Sequence, residues 1–290
     1  MIAKNWLPAV FAVLLVAATP LPAASPEEIV IAEHAFATDV AALGIREGFL
    51  RWLAPTGVVF RPGPVNGIKS TQATPVSPAL LSWQPAKVVM SASADLAWST
   101  GPWSYHAVAG REAIAWGEFV SIWRRQADGR WKVVLDAGVD HAHVNQDSVV
   151  VATQVLSDAA RTGNKPLWRR QTLWQADDAY AKAAGTGGVA GAIEQFAASD
   201  IRRLRDGSMP ILGVSAARDS AAARNERGVF MSLAQFISDK GDLGYTYGTF
   251  VETRGAVVDS SYYVHIWKRG ATRPWELSLD LLLAQPKTSK

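Results

Sequence analysis

The chain has no cysteine among its 290 residues. That absence excludes disulfides, thiolate nucleophiles, cysteine-ligated metals and a lipid-modified N-terminal cysteine together. Charge of one sign is also scarce: 29 Lys and Arg stand against 26 Asp and Glu, a net charge of +3. The densest basic runs, Arg202-Arg203 with Arg205, Arg169-Arg170 and Arg124-Arg125, lie scattered rather than in one stripe. A nucleic-acid partner is therefore not expected. Gly185-Thr186-Gly187-Gly188 lacks the Lys-Ser/Thr sequel of a phosphate loop, and no Gly-x-Ser-x-Gly elbow of a serine hydrolase is present. Nothing calls for a cofactor. The one long apolar run, residues 6–18, is too short for a bilayer span of ~20 helical residues.

That run has a different use. Lys4 supplies a short positive region before it, and residues 20–25 form a stretch ending in the small residues Ala23-Ala24-Ser25, as a signal peptidase requires. Residues 1–24 read as a signal peptide cleaved near Ala23 or Ala24, with a retained N-terminal anchor as the competing reading. A periplasmic or secreted protein follows, with no stable membrane insertion after cleavage. Such a protein without disulfides must rely on its core, and 49% hydrophobic residues allow one in each of two domains.

Two domains are what the chain encodes, because it repeats itself. Ala32-Glu33-His34-Ala35-Phe36-Ala37 recurs as Ala176-Asp177-Asp178-Ala179-Tyr180-Ala181, Phe119 to Arg125 as Tyr263 to Arg269, and Trp131 to Asp136 as Trp275 to Asp280, all at an offset of 144 residues. Asp95-Leu96 recurs as Asp242-Leu243 after one small indel. A period this long is a whole domain, since solenoid units repeat every ~20–50 residues. The expected units are a first domain at 25–144, a linker at 145–164 and a second domain at 165–285.

Within the first unit, Ile29, Ala32, Phe36 and Val40 recur at helical spacing, and a second helix is expected at 45–53. Pro55, Gly57, Pro62, Gly63, Pro64 and Gly67 mark a loop-rich crossing around a short strand at 58–60, and a short turn follows at 77–85. Strands are expected at 87–91, 96–105, 113–125 and 131–139, the last two joined by Asp128-Gly129. The second unit repeats this with helices at 167–184, 189–198 and 218–225, a short strand at 200–204, and strands at 229–239, 244–253, 256–268 and 275–283. Helices followed by four long antiparallel strands make an α+β class: two tandem cone-shaped domains, each with helices packed on a strongly curved antiparallel sheet.

These elements resemble the nuclear transport factor 2-like superfamily, the cone fold shared with ketosteroid isomerases and polyketide cyclases. Ile122-Trp123-Arg124-Arg125 with Gly129-Arg130-Trp131-Lys132-Val133 is similar to the closing strands of a SnoaL-like family within it, and residues 206–213 resemble the turn before its third helix. The resemblance covers both halves but not the linker, and the superfamily contains both catalysts and binders. In the isomerase relatives a helix-one tyrosine and a protonated late-strand acid stabilise an oxyanion, while a carboxylate after the first strand moves the proton. Laid over the second half, that pattern puts Tyr180 at the tyrosine, Val264 at the acid, and Arg205, next to Asp206, at the base. The first half offers Phe36, Val120 and Arg61. Both acids are missing twice, which argues against that mechanism.

Substitute proton carriers exist. Candidate catalytic residues are Tyr180, His265 and Asp280. Asp136 and Asp280 occupy equivalent places at the close of the last strands, where a carboxylate is ordinarily a solvated cap. Asp95 and Asp242 read as turn residues. His265, one position from Val264, is placed by strand parity on the sheet face opposite Tyr180. His141 and His143, at i and i+2, share a strand face but lack a further ligand, so no metal site is assigned. Twelve tryptophans can build cores or line a cavity; Trp98, Trp123, Tyr245 and Trp267, with Asp136, are the candidate ligand-binding residues. The leading reading is an exported protein binding a small apolar or aromatic ligand, with catalysis absent or vestigial and its two domains paired as an intramolecular pseudo-dimer. The alternatives are an isomerase, dehydratase or cyclase-type enzyme in the second domain, or an interaction module with filled cones. An open cavity separates the first two from the third.

Overall fold

A computed structural model describes residues 25–143, 149–157, 172–254, 257–270 and 274–285. The expected signal segment and most of the expected linker lie outside them. In the first half, Pro26 opens helix α1 (Pro26–Leu43), whose buried stripe is Ile29, Ala32, Phe36 and Val40. Gly44, at φ 85°, turns the chain into α2 (Ile45–Trp52). A side chain at Gly48 would meet Val40 Cγ2 at 2.4 Å, so only glycine lets the two helices approach this closely. Strand β1 (Leu53–Phe60), β2 (Pro64–Asn66), α3 (Gly67–Ala73), β3 (Leu80–Trp83) and β4 (Lys87–Met90) follow. The long strands β5 (Leu96–His106), β6 (Ala115–Arg125) and β7 (Trp131–His141) complete the half.

The second half repeats the order. Thr172 and Gln175 form a capping box that starts α4 (Leu173–Gly187), and Gly188 at φ 84° stands where Gly44 stands. Then come α5 (Val189–Phe196), β9 (Ala197–Arg205), β10 (Ile211–Leu212), α6 (Val214–Ala223), β11 (Gly228–Ile237), β12 (Leu243–Arg254), β13 (Val257–Lys268) and β14 (Glu276–Ala284), with β8 (Ala152–Val155) between the halves. The sheet orders are β2-β1-β7-β6-β5-β4-β8 and β10-β9-β14-β13-β12-β11, with β3 also on β5.

Pairing registers coincide residue for residue. Val59 pairs with Asp136 as Arg203 pairs with Asp280, and Leu96 with Arg124 as Leu243 with Lys268. Even the irregularity between Ile122 and Trp123 recurs between Ile266 and Trp267. The chain is two α+β domains in tandem.

Three expectations need correction. The sheets are mixed, because β1 and β9 run parallel to β7 and β14. Residues 67–73, expected as loop, form α3, because the Asn66 side chain accepts a hydrogen bond from Lys69 N at 2.9 Å and caps it. The described part of the expected linker is not a bare connection: β8 pairs in parallel with β4.

Each sheet packs its helices on one face. Phe36, Phe49, Trp123 and Val133 belong to the first of these cores, and Leu173, Tyr180, Trp267 and Leu277 to the second. The opposite faces meet each other in a third core that joins Trp98, Val120, Ile122 and Leu135 to Tyr245, Val264, Ile266 and Leu279. A buried indole removes ~150–250 Å² from water, about 4–6 kcal/mol of transfer free energy.

Asp95 and Asp242 bind the halves reciprocally. Asp242 Oδ2 accepts from Ala92 N at 2.7 Å, and Asp95 Oδ2 accepts from Asp239 N at 3.0 Å. Ser238 and Ser91 donate to the other oxygens of the same carboxylates at 2.7 and 3.0 Å. These aspartates sit in the turns before β5 and β12, as expected, and from there also cross between domains. The ion pairs Arg202–Glu118 at 2.6 Å and Lys87–Asp200 at 2.8 Å span the same junction.

Candidate ligand site

The two helix-side cavities began as one design and ended differently. In the second half, α4 presents Asp177 and Tyr180 on one face, and β13 and β14 present Tyr263, His265 and Asp280 towards them. His265 Nδ1 lies 2.9 Å from Asp177 Oδ1, and His265 Nε2 lies 3.6 Å from Asp280 Oδ1. Asp177 also accepts from Thr246 Oγ1 at 2.8 Å and Tyr263 Oη at 2.7 Å. Arg205 donates to Asp280 Oδ2 at 2.6 Å, and Arg203 does so at 3.1 Å while pairing with Glu226.

The parity expectation is overturned here. Val264 faces the other sheet, so His265 faces the helices, and its ring centroid lies 4.9 Å from that of Tyr180. Val264 was the wrong reference for the helix-side acid, because it points into the junction between the domains. Asp280 is likewise no solvated cap. It sits in mid-strand with 0% exposure, and Tyr180 on α4 and His265 on β13 are equally buried at 0%.

Electrostatics in this cluster are settled internally. Burial pushes Asp280 up, but Arg205, His265 and Arg203 outweigh it and hold the carboxyl well below its ordinary value. Burial opposes the charge on Asp177 as well, and His265, Tyr263 and Thr246 bring it below the usual range. Desolvation lowers His265, yet its two carboxylate neighbours raise it overall, which favours the imidazolium form between two anions. Burial raises Tyr180 well above 10, leaving a neutral phenol whose Oη has no hydrogen-bond partner among the described residues. The three candidate catalytic residues converge, but in a closed, charge-paired interior.

At the same offset the first half carries smaller or less polar groups: Phe36 for Tyr180, Phe119 for Tyr263, Ser121 for His265 and Val59 for Arg203. The space so released is a cavity of about 230 Å³. Phe36, Phe49, Trp83, Trp103 and Phe119 wall it, with Leu81 beside them. Phe36 sets its ring edge-on to Phe49 at 4.9 Å and to Trp83 at 4.8 Å. Gly117 makes room for the Trp103 indole, since a Cβ there would come within 2.4 Å of it.

Polar groups are few. Ser121 Oγ donates to Asp136 Oδ2 at 2.8 Å, and burial raises Asp136 to about 6 against the pull of Ser121 and Arg61. Arg61 is exposed at the mouth and donates to Phe60 O at 2.8 Å. Asp140, on the same strand face as Asp136 two residues beyond Gly138, lines the mouth too. Behind the wall, fully buried Glu33 accepts from Ser99 Oγ at 2.5 Å, Trp83 Nε1 at 2.7 Å and Trp123 Nε1 at 3.0 Å. Desolvation lifts it to about 7 despite those bonds, helped by the charge of Asp136.

Of the five candidate ligand-binding residues, Asp136 lines this cavity. Trp123 and Trp267, each 0% exposed, are packed beneath the two sheets' helix-side surfaces, and Trp98, 1% exposed, belongs to the core between the sheets. Tyr245 stacks on Phe236 at 5.0 Å beside a cleft of about 120 Å³ at the domain junction. Phe36, Phe119 and Ser121 were within reach of sequence reasoning, because Val120 and Ile122 face the partner sheet and period two sends 119 and 121 inward. Trp83 was hidden in a segment that reads as a turn. His141 Nδ1 engages Ala142 O at 2.8 Å and His143 packs on Trp116 at 4.6 Å. Among the described residues no cluster of three His, Cys, Asp or Glu could hold a metal ion, and no helix is long and apolar enough to cross a membrane.

Comparison with known proteins adds likeness one domain at a time. No family model matches the chain, and no curated protein does. Among solved structures, an NTF2-like protein of unknown function from Pseudomonas putida KT2440 is 15% identical, covering 40% of this chain and 87% of its own at a TM-score of 0.34. The chain is similar to NTF2-like proteins. A protein of unknown function with a cystatin-like fold from Nostoc punctiforme is 12% identical over 42% of this chain and 95% of its own, TM-score 0.34. A variant of Rv3472, a protein of unknown function from Mycobacterium tuberculosis, is 20% identical over 41% and 77%, TM-score 0.33.

Proposed function

We propose that this is an exported small-molecule-binding protein whose first cone holds an apolar or aromatic ligand, with catalysis absent or vestigial and the second cone serving as its paired support. One observation carries the reading: the first cone's cavity is aromatic-walled, whereas in the second the places of Phe36, Ser121 and Val59 are filled by Tyr180, His265 and Arg203 in a buried charge network, and the pocket of about 540 Å³ at its mouth is lined by charged groups such as Arg205, Glu226 and Asp259. An interaction module with two filled cones does not explain the first. An enzyme acting through Tyr180, His265 and Asp280 has no solvent-reachable reacting group. At about 230 Å³ the cavity lies just under the ~300–1,000 Å³ of drug-sized pockets, which fits a ligand on the order of one ring with a short side chain. Export rests on Lys4, the apolar run at 6–18 and the small residues before Ser25.

Native mass spectrometry of the mature protein, purified gently from its own periplasm or medium, tests this. The expected result is a retained small molecule and an N-terminus near residue 25. The Ser121→His variant, which copies the plug of the second cone, is expected to lose that molecule. An empty native protein that also takes up no small aromatic compound would sink the binding reading, and an uncleaved N-terminus would sink export.

A further inference from the structure

We infer that the first cone selects a protonated amine on a small aromatic or apolar body, and that Asp136 is the group that reads its positive charge. The inference rests on the ligand-binding reading above and narrows its ligand class.

The internal repeat supplies an occupied version of this site. In the second half the equivalent carboxylate, Asp280, is met by three cationic side chains, His265, Arg203 and Arg205. In the first half two of the three are gone, and the third acts on Asp136 only through space, without an ion pair. His265 is replaced by Ser121 and Arg203 by Val59, while Arg61, in the place of Arg205, is exposed at the mouth and bonded to its neighbour's carbonyl. Among the described residues Asp136 forms no ion pair, and its one hydrogen bond comes from Ser121 to Oδ2. Oδ1 is left for whatever enters.

A carboxylate facing an apolar cavity without a partner is costly, and buried charges in proteins are ordinarily paired. A cationic N–H donor in the cavity restores the arrangement that the second half carries permanently. The walls favour the same ligand, because the rings of Phe36, Trp83, Trp103 and Phe119 can stabilise a cation over their faces. Asp140 at the mouth adds a second negative group on the entry path, against the one positive charge of Arg61. An anionic ligand would face both acids. A neutral one would leave Asp136 unpaired.

Isothermal titration of the full mature chain with three compounds of one shape tests the inference: phenethylamine, 2-phenylethanol and phenylacetate. At pH 8 phenethylamine is expected to bind roughly 10- to 100-fold more tightly than 2-phenylethanol, as a charge-assisted hydrogen bond supports. In Asp136→Asn that ratio should fall to about one with 2-phenylethanol still bound. The native protein offers a second arm that needs no variant: the ratio should fall about tenfold between pH 8 and pH 5, one unit below the value of about 6 to which burial raises Asp136. The charged or polar groups facing Asp136 are Ser121 on β6, Arg61 after β1, Asp140 on β7, which burial raises, and Glu33 on α1, which at about 7 titrates in the same range as Asp136. Equal affinity for amine and alcohol, tighter binding of phenylacetate, or an amine preference that survives Asp136→Asn would each overturn the inference while leaving ligand binding in place. If none of the three binds, the inference falls, and the ligand-binding reading falls with it when the native protein also comes empty.

Discussion

Replacing Glu33 with glutamine should make two stability curves cross. In the folded protein this carboxyl is fully buried beneath α1 and titrates at about 7 rather than the ordinary 4.5. The folded state therefore keeps a proton that the unfolded chain releases as pH rises from 4.5. Stability falls across the window from about 4.5 to 7, and the full loss is present above it. At about 1.4 kcal/mol for each pH unit of that window, the loss is about 3 kcal/mol. Glu33→Gln removes the titration but offers one acceptor oxygen to the three donors Ser99, Trp83 and Trp123, leaving a buried donor short at a cost of ~1–2 kcal/mol. The variant should be slightly less stable than the native protein at pH 5 and more stable by about 1.5–2.5 kcal/mol at pH 8, with the crossing between about pH 5 and 6. Urea unfolding followed by tryptophan fluorescence at four or five pH values reads this directly. Parallel curves would refute both the raised carboxyl and the assigned hydrogen-bond arrangement.

Two further outcomes follow from the second cone and the junction. His265→Ala removes an imidazolium from between Asp177 and Asp280, which for a buried pair costs ~3–5 kcal/mol. Because the folded value of His265 is raised, that stabilisation is complete below its ordinary 6.5 and lost as pH climbs through the folded value. The destabilisation should thus be larger at pH 6 than at pH 9, and a pH-independent difference would refute the assigned charge. Asp242→Ala and Asp95→Ala each delete an inter-domain acceptor, worth ~1–3 kcal/mol for a charged group. The buried Asp242 should cost more, and unfolding that shows no difference between the two variants would contradict the geometry.

Much of the architecture could be read in the chain because a repeat is a long-range signal that needs no structure to see. The pairs Phe119/Tyr263 and Asp136/Asp280 already stood in register. What the sequence hid was local and depended on faces. Residues 67–73 read as loop because proline and glycine crowd them, yet one asparagine cap suffices to start a helix there. His265 was put on the wrong face because Val264 served as reference, and a slip of one residue exchanges the two sides of a strand. Tryptophan count favoured Trp98, Trp123 and Trp267 as ligand-binding residues, although large rings on strands packed between two layers are core first. The difference between an open and a filled cone came down to Ser121 against His265 and Val59 against Arg203. These contrasts are visible once the copies are aligned, but they mean little until both residues of each pair are known to point into the same space.

The reciprocal grip of Asp95 and Asp242 has a consequence for how such a protein can change. Two identical subunits facing each other must accept every substitution twice, so a bulky group that suits one subunit is imposed on the other. Here the partners are successive stretches of one chain, and an imidazole was admitted on one side alone. One copy can then drift towards rigidity while the other keeps its cavity, with no mutation compelled to serve both.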